Sequence, residues 1–322
     1  MYSRLVTHDD FDGVASAALA GYFLEISSII FAGPGDITRS AVSTGSDDVV
    51  CDLPYPLSCG MWFDHHEANL EEVRLRGIDP ETIPGHHHPA KSCARVILDY
   101  FAEEYEIDEE LEALAAAADR IDAFDYESVE DWRSKTPAAI IDSSIKLKTG
   151  TPAERRAYLR NLTTWLMDEP LEQVAGQEHV QARFLAFEEE EKQMLKIIEQ
   201  NLGFLDGKKE VILLDFSGRN RRVAVVKNLA QLLAPEALAV IEVNSLFNRG
   251  VKTNDLSFSM SLNIEGTKKT PEKDLGEIMR ALNIGSGHAG AASGTVRSKN
   301  KQEMLKAKEK VLQMIIEKWE NT

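Results

Sequence analysis

Met61-Trp62-Phe63-Asp64-His65-His66-Glu67 decides the reading of this chain. Three apolar residues run straight into an acid and two imidazoles, as when a buried strand delivers polar groups at its carboxyl end. The pattern recurs. Leu5-Val6-Thr7 leads into His8-Asp9-Asp10-Phe11-Asp12-Gly13, and Val49-Val50-Cys51 leads into Asp52. Further on, Ala116-Ala117-Ala118 leads into Asp119. A parallel sheet builds its site in this way, outside the carboxyl ends of its strands.

The elements around these runs support an α/β chain. Leu5–Thr7, Ile26–Phe31, Asp48–Asp52 and Met61–Phe63 read as strands, and the stretch from Gly13 to Phe23 reads as a helix. Strands alternating with helices predict a parallel sheet. From Ser92 to about Asp119 the chain reads as helical, with Leu111–Ala118 built of strong helix formers. His86-His87-His88 reads as a polar loop before that helix. Thr151-Pro152-Ala153-Glu154 has the pattern of a helix start, with an N-cap, a proline at the first position and a capping-box acid. Val180, Phe184, Phe187, Met194 and Ile198 fall near helical spacing, which predicts an amphipathic helix over 172–201.

Leu202-Gly203-Phe204-Leu205-Asp206-Gly207 reads as a boundary. Beyond it, Glu210–Phe216, Val223–Val226, Leu238–Val243 and Leu256–Leu262 are expected strands, and Pro271–Leu282 and Lys301–Trp319 expected helices. The organisation expected is therefore a catalytic, metal-binding domain over 1–170, a helical linker over 171–206 and a smaller α/β domain over 207–322. A length of 322 residues suits two domains.

Net charge is −17, divided unevenly: residues 1–200 carry −22 and residues 201–322 carry +5. An acidic body argues against coating long nucleic acid, while a mildly basic second half can receive a short anion. Three cysteines make no disulfide framework, which fits a reducing cytoplasm. No basic region followed by an apolar run opens the chain, and no stretch reaches the ~18 apolar residues of a membrane span. No membrane association is expected.

His8, Asp10, Asp12, Asp52, His65, His66 and Asp119 each have an ordinary structural explanation taken singly. Together they are a donor set of imidazoles and carboxylates, the chemistry that suits Mn²⁺ or a similar divalent ion. Donors for two ions imply the two-metal clamp used on phosphate esters.

This constellation resembles the DHH phosphoesterase superfamily, whose members include RecJ-type exonucleases, nanoRNases, cyclic-dinucleotide phosphodiesterases and exopolyphosphatases. The motifs that carry the resemblance are His8-Asp9-Asp10-Phe11-Asp12-Gly13, Asp52, Asp64-His65-His66 and Asp119. Pro89-Ala90-Lys91-Ser92-Cys93-Ala94 is similar to the family's helix start. Gly285-Ser286-Gly287-His288-Ala289-Gly290-Ala291-Ala292-Ser293-Gly294 resembles the glycine-rich loop of the DHH-associated C-terminal domain.

The resemblance implies a parallel-sheet DHH domain joined by a helical linker to a smaller α/β domain, with the active site in the cleft between them. It implies two divalent ions, Mn²⁺ first and Mg²⁺ or Co²⁺ as alternatives. One would be held by His8, Asp10 and Asp52, the other by Asp12, Asp52, His65 and Asp119. His66 would face the scissile phosphate and Asp64 would orient a histidine. Gly285, Ser286, Gly287 and His288 would bind substrate phosphate.

The sequence departs from the family at several points. Only Asp9 separates the first His from the first Asp, which leaves Asp9 as an alternative to His8. Asp122 competes with Asp119. Ser257-Phe258-Ser259-Met260-Ser261-Leu262 lacks the arginine that often grips substrate in the family.

The expected activity is hydrolysis of phosphodiester or phosphomonoester bonds in short oligonucleotides or small nucleotides. Cyclic-dinucleotide hydrolysis or exopolyphosphatase activity is the alternative. A non-catalytic nucleotide-binding protein is the alternative of another class. The partner expected is a short anionic phosphate compound, not a long nucleic acid held stably. A homodimer is left open.

Overall fold

The structure, a computed structural model, describes residues 2–321. It divides into two compact units, Met1–Asp125 with Arg133–Glu188, and Tyr126–Trp132 with Glu189–Thr322. The division falls within the long helix Glu178–Asn201. No helix among the described residues is long and apolar enough to cross a membrane.

The first unit is built on five parallel strands: β1 Arg4–Thr7, β2 Ile29–Phe31, β3 Asp48–Cys51, β4 Met61–Asp64 and β5 Gly85–His87. Their order is β2-β1-β3-β4-β5. The chain leaves β1 to one side for β2 and returns to the other side for β3. The point where the order reverses lies between β1 and β3, which is where open α/β sheets place ligands.

Both faces of this sheet are covered, which explains its near-continuous apolar runs. Leu5, Val49 and Phe63 point into one core, with the helices Phe11–Leu24, Cys93–Phe101 and Glu109–Asp122. Their neighbours Val6, Val50 and Trp62 point to the other, with Ile37 and Val73. Trp62 and Phe63 are adjacent, both fully buried, and on opposite faces.

Local chemistry sets the helix starts. Asp10 caps Phe11–Leu24 by accepting from Gly13 N at 3.0 Å. Thr151 and Glu154 form the expected capping box at the head of Pro152–Asp168. The single helix expected from Ser92 to Asp119 is instead two, because Asp108 starts a new one at Glu109 by accepting from Leu111 N at 2.9 Å. His86 and His87 lie on β5, not in a loop. The five residues expected on the buried stripe of the long helix, Val180 to Ile198, are all buried.

The second unit holds six strands: β6 Leu202–Phe204, β7 Val211–Asp215, β8 Ala239–Asn248, β9 Val251–Leu262, β10 Gly285–Gly287 and β11 Ala291–Val296. The order is β10-β11-β9-β8-β7-β6, and β7–β8 is the parallel pair. Arg249 and Gly250, both with positive φ, close the tight β8–β9 hairpin. Val223–Val226, expected as a strand, is not one. The place beside β7 is taken by β6, whose residues the sequence reading assigned to a boundary turn. One sheet face packs Ile241, Phe258 and Met260 against the helices Leu275–Ala281 and Lys301–Asn321.

Candidate metal centre

The carboxyl ends of β1, β3 and β4 bring together His8, Asp10, Asp12, Asp52, His65 and His66. His8 Nδ1 stands 2.7 Å from Asp10 Oδ2 and 3.6 Å from Asp52 Oδ2. His65 Nε2 stands 3.6 Å from Asp52 Oδ1, 3.7 Å from Asp12 Oδ2 and 3.5 Å from Asp122 Oδ2. The donors fall into the sets His8–Asp10–Asp52 and Asp12–His65–Asp122, with a third set, Asp52–His65–His66, linking them. Asp52 faces both histidines from its two oxygens.

The backbone is shaped to hold these groups. Asp52 leaves β3 with φ of 54°, a left-handed conformation that Asp tolerates better than most residues. Gly13 passes so close to His8 that an added Cβ would overlap the His8 carbonyl. Asp12 is buried and accepts from Cys93 N at 2.7 Å and Ala94 N at 2.9 Å. These are free amides in the first turn of Cys93–Phe101, where a negative charge is favoured.

The tautomer of His65 is fixed by its neighbour. Its Nδ1 lies 3.1 Å from the Ala90 carbonyl, to which it donates, so that in the neutral ring Nε2 carries the lone pair. That Nε2 is buried and has no hydrogen-bond partner. The three carboxylate oxygens around it are too far to accept from it and too near one another to be comfortable as charges. Ligands about 2.1 Å from one cation stand roughly 3–3.5 Å apart. The spacing and the unpartnered nitrogen fit a divalent cation.

The electrostatics show the same demand for positive charge. Burial pushes the Asp12 carboxyl well up, and Asp52 and Asp122 add to the shift. Asp122 is held up to about 7, first by burial. Burial alone would raise Asp52, yet His65 and His8 hold it below the usual carboxylate range. Burial opposes the charged forms of His8 and His65, but the acids outweigh it. His8 is held at about 11, chiefly by Asp10 and Asp52, and His65 at about 10.

Asp64 is a different kind of residue. It is fully buried, accepts from Asn69 Nδ2 at 2.6 Å and faces His66 Nδ1 at 2.9 Å. It orients His66 and, against the burial of the ring, raises its pKa. The other ring nitrogen of this half-exposed histidine is left for a ligand.

No family model matches the sequence, and no curated protein matches it. Solved structures do. A pGpG-specific phosphodiesterase, PggH from Vibrio cholerae, superposes with a TM-score of 0.67 at 20% identity, over 97% of this chain and 98% of that one. The DHH domain of a member of a family of ribosomal proteins superposes with a TM-score of 0.59 at 12% identity, over 98% and 86%. The chain has the DHH fold.

Within the DHH fold, the residues expected from sequence do not all meet. Asp119 is 2.9 Å from Arg95 Nε and accepts from Ser92 Oγ at 2.7 Å, and it belongs to none of the donor sets. Asp122, one turn on, takes the place beside His65. Asp9 turns to Arg155. Gly285, Ser286 and Gly287 form β10 of the second unit, paired with Gly294, Ser293 and Ala292 of β11. Added Cβ atoms at Gly285 and Gly287 would overlap the Ser293 and Ala291 carbonyls, so close strand pairing already demands glycine there. His288 follows, its Nδ1 accepting from Gly290 N at 3.2 Å. Asn69, Arg155 and the Ala90 carbonyl escaped the sequence reading.

Proposed function

We propose that this protein is a phosphoesterase dependent on two divalent ions, Mn²⁺ first among them, that hydrolyses short oligonucleotides, linear dinucleotides foremost. The observation that carries the reading is the pair of donor sets joined through Asp52, with the buried, partnerless His65 Nε2 between acids. His8, Asp10 and Asp52 would hold one ion. Asp12, His65 and Asp122 would hold the other, with Asp52 shared. Two such ions, when bound, supply Lewis-acid stabilisation of a phosphoryl group and lower the pKa of an attacking water.

The protein's own groups do the rest. Asp52 is kept anionic by His65 and His8, and the amides of Cys93 and Ala94 hold the Asp12 carboxyl in place. His66, oriented by Asp64, which also raises its pKa against the burial of the ring, would offer its other nitrogen to a phosphoryl or leaving oxygen. Ser286 and His288 are proposed contacts for substrate phosphate, in a stretch, 201–322, whose net charge of +5 suits an anion. The choice of a short linear substrate is supported by the Vibrio cholerae phosphodiesterase, which acts on pGpG and matches this chain over nearly all of both lengths. The acidic first 200 residues disfavour a long one. Three free cysteines suit a cytoplasmic site of action.

The test is a substrate panel with Mn²⁺: pGpG, di- to pentanucleotides, a long single strand, 3′,5′-bisphosphorylated adenosine, a cyclic dinucleotide and polyphosphate. Cleavage of the short linear members, lost in His65→Ala, is expected. Failure to cleave any of the short oligonucleotides and nucleotides, with Mn²⁺ demonstrably bound, would overturn the proposal and favour a binding protein.

A further inference from the structure

Asp9 is the acid of the first motif that takes no part in the donor sets. It lies between His8 and Asp10 in sequence, yet its Oδ2 accepts from Arg155 Nε at 3.2 Å and Nη2 at 3.0 Å. The same Nη2 donates to the Asp9 carbonyl at 2.8 Å. The remaining arm, Nη1, donates to the Ile145 carbonyl. Ile145 lies in the last turn of the helix Pro137–Lys146, whose final carbonyls have no partner within the helix. Arg155 itself projects from the first turns of Pro152–Asp168, anchored by the Thr151–Glu154 capping box.

One guanidinium therefore ties the peptide between two candidate ligands to two helices. We propose that Arg155 is a positioning residue that holds the first motif in its ligating shape. The inference rests on the two-ion reading of the site. Three consequences follow from the geometry. The Asp9 peptide is gripped by side chain and carbonyl together, so His8 and Asp10 on its two sides keep their 2.7 Å separation. Asp9 Oδ2 is taken by Arg155, which leaves only Oδ1, 3.9 Å from His8 Nε2, turned toward the site. And the grip is local: among the described residues Arg155 makes no hydrogen bond or ion pair to Asp12, His65 or Asp122.

The last point gives the inference its signature. Arg155 governs the His8–Asp10–Asp52 set and leaves the Asp12–His65–Asp122 set alone. A planar fork with donors in three directions is needed, so lysine cannot replace it.

The test is a Mn²⁺ titration of the whole protein, followed by calorimetry and by the electron paramagnetic resonance signal of free Mn²⁺, with circular dichroism to verify folding. The unaltered protein should bind two ions. Arg155→Met should weaken one of them about tenfold or more, the usual cost of removing a group that orients a ligand, and leave the other unchanged. Arg155→Lys should recover only part of the loss. Asp9→Asn should weaken the same ion by less, because the carbonyl contact survives. Asp9→Asn/Arg155→Met should be no worse than Arg155→Met alone.

Equal weakening of both ions, or of neither, would overturn the inference and reduce Arg155 to a packing role. Should Arg155→Met fail to fold, Arg155→Lys and Asp9→Asn decide by the same criterion. Absence of Mn²⁺ binding by the unaltered protein would overturn the reading of the site itself, and that result precedes any variant.

Discussion

Asp119 and Asp122 lie one helical turn apart, and the structure gives them opposite consequences on substitution. Asp119→Asn removes a carboxylate that accepts from Ser92 Oγ at 2.7 Å and pairs with Arg95 at 2.9 Å. Both partners of the ion pair are mostly covered, with side-chain exposures of 22% and 17%. Arg95 keeps its two hydrogen bonds to Glu112, so its charge is not stranded. The cost should be about 1–2 kcal/mol, toward the low end for hydrogen bonds to charged groups. In a unit of this size that lowers the melting temperature by roughly 2–8 °C. Asp122→Asn removes an acid from beside Asp12 and Asp52, where it is held up to about 7. Without metal, this relieves repulsion and should leave stability unchanged or slightly raised.

With Mn²⁺ the order reverses. An ion present at a hundred times its dissociation constant stabilises the fold by about 2.7 kcal/mol. Asp122→Asn should abolish most of that gain, and Asp119→Asn should keep it. The assay is thermal unfolding of both variants in chelator and in Mn²⁺. Retention of the full Mn²⁺ gain by Asp122→Asn, with its loss in Asp119→Asn, would refute the assignment of Asp122 to the site.

The Mn²⁺ gain should also depend on pH. His8 at about 11 and His65 at about 10 lie above the unfolded value of about 6.5, so the metal-free fold gains from their protonation below about 6.5 and loses that gain as pH rises through 10–11. Metal needs the neutral rings and an ionised Asp122, so its affinity runs the other way and should fall from pH 8 to pH 6; a melting-temperature gain that stays level across that range would contradict the ligand set. His66→Gln should lower kcat on a susceptible dinucleotide about 10²–10⁴-fold while Mn²⁺ affinity changes little, given the role proposed for His66 on substrate; a calorimetric loss of metal binding equal to the loss of rate would make it a ligand instead. Gly13→Ala should cost about 1–3 kcal/mol in urea unfolding, because the backbone at His8 must move to admit the methyl group; a variant as stable as the parent would show the contact to be loose.

The parallel sheet was legible because its strands are buried on both faces and so read as unbroken apolar runs ending in acids. What escaped lacks that signal. β5, β6 and β10 are three residues each and lie at or near sheet edges, and β10 is Gly-Ser-Gly. Val223–Val226 has the apolar run without a place in the sheet, because β6 supplies the neighbour of β7. The two halves of the Ser92–Asp119 stretch share helix-forming composition, and only the Asp108 cap divides them.

Which of Asp119 and Asp122 stands beside His65 was written in the periodicity. The buried face of Glu109–Asp122 runs through Leu111, Leu114, Ala115 and Ala118. Four residues beyond Ala118 is Asp122, which continues that stripe to the end of the helix and so points where the core meets the ends of the strands. Asp119 lies one residue off the stripe, toward Arg95. The resemblance pointed to an acid on this turn of the helix, and the helical phase favours Asp122, the acid proposed here as the ligand. No comparable rule could have found Arg155. Its contact with Asp9 spans 146 residues and joins a loop to a helix with no shared periodicity, so it exists only once the chain has folded. Local pattern therefore identifies the donors that strands and helices deliver, and tertiary packing decides which groups hold those donors in place.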